Sequence, residues 1–419
     1  MKIMVLSPYL PHAKVGHGGG TAVRDLVTWL AREHQVLLVS LLRPGEAGFI
    51  EEVESLGKGD RLRVAAIPYT DNLARGARRL GLAGSRLKAA GRSLTSGYPL
   101  YVTKYGTGNI RRQVIRLAEE FQPDAIQIEY LQLALQVRSL RRWRDGLGTG
   151  RPRLILNSHE LGSVPRERSA ARASNPMTRL ALLREAAGWR RLQVDASGWA
   201  DKTLCVTPED RDLYKAMGGL NLETVPLGMD IQSIKADWFP TDPERYLFVG
   251  SFGHRPNVLA AQFLVDKVWP AVSAARPWAR LILAGRGSRA WLNGWMSADQ
   301  QAEKRIEALG FVDDLTPLFR ECRLFLAPLP EGGGIKIKIL EAMARGIPLV
   351  TTPIGAEGIC GADDGVAVVV GFGEGFSGAV LEASEDLPGS AERALKARRL
   401  MEDSFSWEVI VKRLEVLYG

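Results

Sequence analysis

Cysteine is scarce in this chain: Cys205, Cys322 and Cys360 are all there is in 419 residues. An odd number without paired metal-ligand spacing excludes a disulfide framework and a cysteine-based zinc site. It suits reduced, buried thiols in a cytoplasmic protein. Long apolar runs are missing too. The amino terminus, MKIMVLSPYL, is too short an apolar run for a signal peptide, and no stretch reaches the roughly 18 to 20 apolar residues expected of a membrane span. Acid is absent between Asp71 and Glu119, where Arg75, Arg78, Arg79, Arg86, Lys88, Arg92, Lys104, Arg111, Arg112 and Arg116 all occur. No nucleic-acid recognition motif, RNP-like strand or zinc spacing accompanies that basic stretch, so nucleic acid is not an expected partner.

The charge is unevenly spread. Residues 1–228 hold 34 Lys/Arg against 22 Asp/Glu, whereas residues 229–419 hold 21 against 25, so the net charge of +8 belongs to the first half. Such an asymmetry calls for a partner. Between 73 and 94, Leu73, Ala77, Leu80, Leu87 and Leu94 recur at helical spacing with arginines on other faces. Gly76, Gly81, Gly84 and Gly91 weaken that helix by about 1 kcal/mol each relative to Ala. The segment suits either a solvated basic helix or, over residues 73–116, attachment to an anionic membrane surface.

The length suits two domains of about 200 residues. Apolar strands are expected at 2–7, 36–42, 62–68, 125–129, 154–158, 203–207 and 222–226. An irregular stretch follows from Met229 to Arg245, with Pro240 and Pro243. A second series runs through 246–250, 280–284, 305–308, 324–327, 349–352 and 365–370. Strands alternating with helical stretches imply α/β architecture: two doubly wound, Rossmann-like domains with parallel sheets. After the first strand comes Gly16-His17-Gly18-Gly19-Gly20, then a helix expected to open at Thr21. Its spacing is neither GxGxxG nor a P-loop.

The richest stretch is Ala327 to Gly358, APLPEGGGIKIKILEAMARGIPLVTTPIGAEG. It reads as strand, glycine loop, a helix over 335–344, and strand. Open α/β sheets bind ligands at the carboxyl ends of their strands, where such loops lie. Lys336 and Lys338 fall in the first helical turn, where the helix dipole disfavours cations, so a negative partner is expected there. At 3.6 residues per turn Gly334, Lys338, Glu341 and Arg345 share one stripe, while Ile335, Ile339 and Met343 share another that faces the core. The charged stripe suits a ligand surface or a solvated face with i,i+3 and i,i+4 ion pairs worth a few tenths of a kcal/mol.

Five segments of the second half then resemble the group 1 (family 4-like) retaining glycosyltransferases of GT-B fold. They are Phe248-Val249-Gly250-Ser251, Leu283-Ala284-Gly285, Leu309 to Asp314, Pro328 to Gly334, and Leu340 to Pro348. HRPN at 254–257, GGGIKIKILEAMA at 332–344 and IGAEG at 354–358 look closest to the exopolysaccharide and cell-surface glycan branch. The resemblance implies an acceptor-binding domain over 1–228, a nucleotide-sugar-binding domain over 229–404, and a helix over 405–419 crossing back toward the first. It implies a nucleotide-diphosphate sugar and a glycan or lipid-linked acceptor as substrates. No cofactor or metal is implied, since lysine and arginine can supply the charge at the leaving diphosphate.

By position, the resemblance places Glu341 on the ribose hydroxyls and Lys338 on the diphosphate, with His159 near sugar and acceptor as a third catalytic residue. Gly19, Gly20, Arg255, Arg286, Gly333, Gly334, Ile335 and Lys336 are the implied donor-binding set. Gly18, Glu129, Tyr130 and Glu160 fall on the acceptor side. Relatives often carry a second glutamate eight positions before the first, where this chain has Gly333; it has Ser251 and Pro256 where relatives often carry Arg and Lys. Two other readings share this fold: a nucleotide-sugar epimerase, which would need first-domain carboxylates such as Glu129 or Glu160, and a catalytically silent nucleotide-sugar binder. Localisation is expected to be cytoplasmic, peripheral on the inner membrane face.

Overall fold

A computed structural model describes residues 1–14, 18–69 and 88–419. Most of the expected basic helix over 73–94, together with Gly16 and His17, lies outside the described residues. Two compact units are present: Met1–Met229 with Trp407–Gly419, and Asp230–Ser406.

The first unit is built on seven parallel strands among the described residues: β1 (Lys2–Ser7), β2 (Gln35–Leu42), β3 (Leu62–Pro68), β4 (Ala125–Glu129), β5 (Arg153–Asn157), β6 (Lys202–Cys205) and β7 (Leu222–Thr224), in the order 3-2-1-4-5-6-7. Their near-continuous apolar sequences reflect burial on both faces. Alternate residues serve opposite cores: Met4, Leu6, Ile126, Ile128, Leu154 and Leu156 pack with Val137, Leu140 and Trp189, whereas Ile3, Val5, Leu38, Ala125 and Ile155 pack with Val23 and Val27. β1 pairs with both β2 and β4, with Ile3 opposite Val36 on one side and Ala125 on the other. The strand order reverses there, which opens a crevice beyond the carboxyl ends of β1 and β4.

The helix Trp407–Tyr418 completes this unit. Trp407, Ile410, Leu414 and Tyr418 recur at helical spacing and join the core formed by Ile3, Val5 and Ile155. The Trp407 ring lies so close to Gly228 that a Cβ there would come within 2.4 Å of it.

The second unit carries six parallel strands in the order 10-9-8-11-12-13: β8 (Arg245–Val249), β9 (Arg280–Ala284), β10 (Ile306–Gly310), β11 (Leu324–Ala327), β12 (Leu349–Thr351) and β13 (Val368–Val369). Its switch point lies between β8 and β11. The helical run Arg255–Ala275 is long and apolar enough to cross a membrane by length and composition, contrary to the expectation that no stretch is. Its Ala260, Ala261, Leu264, Val265, Val268 and Val272 lie in the core of this unit, which accounts for its apolarity.

Several boundaries differ from those the sequence suggests, each for a local reason. The first helix opens at Gly18, three residues before Thr21. The 335–344 helix opens at Ile337, because Lys336 is extended at φ −96° and ψ 98°. Arg305 is left-handed at φ 54° and ends the helix Ala298–Lys304, so β10 begins one residue later. Gly365 turns at φ 65°, leaving β13 only two residues.

Candidate functional site

The most elaborated polar cluster among the described residues lies at the carboxyl ends of β1, β4 and β5. Glu129 ends β4 with its side chain almost wholly buried, where a lone carboxylate would be costly. It is satisfied by three donors. Gln127 Nε2 donates to Oε1 at 2.6 Å, Asn157 Nδ2 donates to Oε2 at 3.2 Å, and His159 Nε2 donates to Oε2 in a short contact. Because that oxygen already acts as an acceptor, the imidazole hydrogen sits on Nε2. Nδ1 has no hydrogen-bond partner among the described residues and is the ring nitrogen left for a substrate.

Tyr130 and His159 follow the ends of adjacent strands in backbone conformations unusual for their residue types, at φ 70° and 56°. Each costs of order 1–3 kcal/mol. They are locked by Tyr130 N–H donating to Asn157 O at 2.9 Å and by stacking of their rings, centroids 3.7 Å apart and 6° from parallel. The phenol of Tyr130 reaches the first turn of the helix Gly18–Leu30. A Cβ on Gly19 would lie 2.1 Å from its oxygen and 2.7 Å from that of Tyr9, so only glycine fits. Burial drives the Tyr9 and Tyr130 phenols well above the ordinary range, leaving both as neutral hydroxyls.

These groups border a cavity of about 410 Å³ lined also by Pro8, Arg43, Tyr101, Tyr105, Gln132 and Glu160. Aromatic faces beside hydroxyl, amide, carboxylate and guanidinium groups suit a polyhydroxylated ligand. Of the residues the sequence singled out, Gly19, Glu129, Tyr130, His159 and Glu160 are brought together here. Gly18 and Gly20 lie in the same helical turn as Gly19. Tyr9 and Asn157, also at strand ends, carry no motif; their position after apolar runs is the only sequence signal they offer.

Apart from Gly19 and Gly20, which belong to the first unit, the expected donor residues gather around the ends of β8, β9 and β11, their charged groups mostly engaged with other residues of the second unit. Lys338 is largely buried. Its Nζ donates to Val249 O at 3.0 Å and Asn257 Oδ1 at 2.6 Å, and lies 4.7 Å from the centre of the Phe248 ring. Burial depresses its pKa from 10.5 to about 7. Asn257 in turn donates to Ser251 O at 2.9 Å, tying the end of β8 to the helix that follows. The approach is close: a Cβ on Gly250 would meet the Asn257 side chain at 2.7 Å, and one on Gly285 would meet Gly250 O at 2.0 Å.

Lys336, for which the helix dipole suggested a bound anion, has a carboxylate from its own chain: Nζ donates to Glu357 Oε2 at 3.1 Å and to Gly334 O at 2.6 Å. The argument from a misplaced cation therefore does not extend to Lys336. Arg255 donates to Glu331 at 2.6 Å. Arg345 donates to Glu341 at 3.1 Å and to Thr316 at 3.1 Å, so the i,i+4 pair does form, with a quarter of the Glu341 side chain still accessible. Arg286 is exposed, its guanidinium 5.7 Å from the Phe311 ring centre. Gly333, Gly334, Ile335 and Lys336 form the loop entering the helix Ile337–Ala344, with Gly334 left-handed at φ 66°. Asn257 and Glu357 lie inside the HRPN and IGAEG segments, which mark the neighbourhood but not the part either side chain plays.

Asp210 and Asp212 lie in the helix Pro208–Ala216, where Asp212 accepts from Arg211 at 2.9 Å and the Asp210 N–H donates to the capping Thr207 hydroxyl.

Residues 243–386 match the family described as Glycosyl transferases group 1. A protein from Klebsiella pneumoniae, described as an uncharacterized 44.6 kDa protein in the cps region, is 25% identical over 223 residues, covering 50% of this chain and 54% of that protein. The chain thus spans about half the length of the curated relative it matches. Solved structures match over nearly the full length. HepE of Anabaena, solved in complex with UDP and glucose, superposes with a TM-score of 0.61 at 16% identity, covering 99% of this chain and 98% of that one. Sucrose-phosphate synthase from Thermosynechococcus elongatus gives 0.67 at 17%, covering 100% and 98%. WaaG, described as a glycosyltransferase involved in lipopolysaccharide biosynthesis, gives 0.60 at 14%, covering 100% of both chains. The fold is GT-B, two parallel-sheet α/β units.

Proposed function

We propose that this protein is a retaining glycosyltransferase that moves a sugar from a nucleotide-diphosphate donor to a glycan or lipid-linked acceptor in cell-surface polysaccharide synthesis, without a metal ion. The observation that carries the reading is the group 1 match over residues 243–386, which encloses Lys338, Glu341 and the glycine loop before them. In this reading Glu341 receives the ribose hydroxyls and Lys338 is the cation beside the diphosphate. The loop from Gly333 to Lys336 offers backbone N–H groups to the donor. His159, Glu129, Tyr130 and Glu160 serve the sugar and acceptor.

Charge stabilisation at the leaving diphosphate does most of the chemistry, since glycosidic cleavage leaves an oxocarbenium-like sugar beside an anion. That a HepE structure holds UDP and glucose, and that a relative comes from a cps region, support the donor class and the pathway class. The exposed Arg111, Arg112 and Arg116 on the helix Gly108–Phe121 suit a peripheral position on an anionic inner-membrane surface. The epimerase reading loses ground, because Glu129 is committed to three donors and only Glu160 stays exposed.

The test is a screen of nucleotide sugars scored by nucleoside-diphosphate release, with glycan and lipid-linked acceptors. Glu341→Gln should weaken donor binding, and His159→Ala should slow transfer by tenfold or more, on the order of general acid–base losses. Variants that transfer as fast as the parent would refute the assignment. A new epimer formed from donor alone would favour the epimerase.

A further inference from the structure

The buried cluster at Glu129 does not end at the strand that carries it. Gln127 precedes Glu129 by two residues on β4, so both side chains project from the same face of the sheet, and both are fully buried. The Gln127 amide donates to Glu129 through Nε2 and accepts at Oε1 from the hydroxyl of Tyr418, 291 residues further on. Tyr418 is itself 2% exposed and comes from the helix Trp407–Tyr418.

The direction of this chain is dictated at its carboxylate end. The Glu129 carboxylate accepts from all of its partners, so Gln127 must present its NH₂ to it. That leaves the Gln127 oxygen facing Tyr418, whose phenol, kept neutral because burial pushes its ionisation far upward, donates to it. Tyr418→Phe would remove one hydroxyl without changing shape. The Gln127 oxygen would then be buried without its donor, and the amide would be held less firmly against the carboxylate. With that donor loosened, Glu129 would grip the Nε2 hydrogen of His159 more strongly.

We propose that Tyr418 is a positioning residue for His159: through Gln127 and Glu129 its hydroxyl sets how firmly the carboxylate holds the Nε2 hydrogen and so orients the imidazole. The catalytic part of this proposal rests on His159 serving the transfer reaction; the hydrogen-bond relay itself does not. The other titratable groups lining the cavity around the ring are, among the described residues, Tyr9, Tyr101, Tyr105, Tyr130 and Glu160, with Arg43 in its wall. On the terminal helix Glu415 accepts from His34 at 2.8 Å instead.

The experiment is a ¹⁵N NMR titration of the histidine rings in the full-length protein and in Tyr418→Phe, paired with pH–rate profiles. His159→Ala assigns the His159 signals. The expected result is a rise of about half a pH unit or more in the His159 midpoint. It should be accompanied by a fall of about fivefold in kcat near neutral pH, with donor KM unchanged, the size expected for one hydrogen bond. The acid limb of the profile should move to higher pH by the same interval. In a Glu129→Gln background Tyr418→Phe should shift nothing further, because the relay is already cut. A His159 ring whose midpoint matches the parent in Tyr418→Phe would overturn the proposal, whatever happens to melting temperature. Parental transfer by His159→Ala would instead overturn the catalytic reading of the site, with the ring titration still deciding the relay.

Discussion

Replacing Lys338 by methionine should stabilise the protein while weakening donor binding. In the folded chain the Lys338 pKa is lowered from 10.5 to about 7 by burial. The unfolded chain therefore holds its proton across a window in which the folded chain has released it, and parental stability must rise with pH from about 7 toward 10.5. Below that window the ammonium is charged in both states. The folded protein then bears the full burial cost, about 5 kcal/mol, since each tenfold loss of proton affinity is worth about 1.4 kcal/mol. Methionine removes that cost but leaves Val249 O and Asn257 Oδ1 without their donor, a loss of about 1–1.5 kcal/mol each. The net gain should be about 2 kcal/mol at pH 6. It should shrink through pH 8 and become a net loss of about 2–3 kcal/mol near pH 10, where only the two missing hydrogen bonds count.

Urea unfolding of parent and Lys338→Met at pH 6, 8 and 10, followed by a probe of the second unit, measures this directly. Donor binding by calorimetry supplies the other half. If the diphosphate is what justifies a buried ammonium, the parent takes up a proton on binding above pH 7 and loses affinity by up to about tenfold per pH unit, whereas the variant binds weakly and without that dependence. A variant that is destabilised at pH 6, or whose stability difference does not change with pH, would refute the reasoning.

Gly19→Ala places a methyl group 2.1 Å from the Tyr130 oxygen; transfer should fall by about a hundredfold, the scale of a 1 Å displacement in a site, and stability by about 1–3 kcal/mol, the cost of overpacking. Initial rates and thermal melts on the same preparation check it, and near-parental rates would mean that the Tyr130–His159 stack does not serve the reaction. Glu357→Ala deprives the Lys336 ammonium of its carboxylate and should cost about 2 kcal/mol in urea unfolding, with Glu357→Gln costing less. Flotation with vesicles rich in anionic lipid should recover the protein at low salt and release it at 0.5 M salt, where the screening length falls to about 4 Å. Protein that stays below the lipid at low salt would leave the basic first half without that partner.

The strands were legible because buried parallel strands are continuous apolar runs bounded by Gly and Pro; MKIMVLS and RLILN could hardly be anything else. Their order was not, since crossovers depend on which helix covers which face. The helix Ile337–Ala344 showed Ile339 and Met343 of its apolar stripe buried, although Ile335 falls in the loop before it, and Glu341–Arg345 met at the spacing read for them. Lys336 was misleading for a definite reason. Its partner Glu357 lies 21 residues on, beyond the next strand, and no local pattern announces that contact. At the other site Glu129, Tyr130 and His159 could be picked out singly as strand-end residues. Their stacking, and the need for Gly19 beneath Tyr130, depend on positive φ values at two non-glycine residues, which sequence does not forecast.

The division of the chain also orders its synthesis. Residues 230–406 are continuous and can close their sheet as they leave the ribosome, but the first unit cannot. Its β1–β7 sheet emerges early with the core around Ile3, Val5 and Ile155 still lacking Trp407, Ile410 and Leu414. The part of that face which these side chains cover must wait while 177 intervening residues are translated. At about 5–20 residues per second the wait is roughly ten to thirty seconds. In the nascent chain, therefore, the first unit is completed only after the second has emerged, and the helix Trp407–Tyr418 closes it.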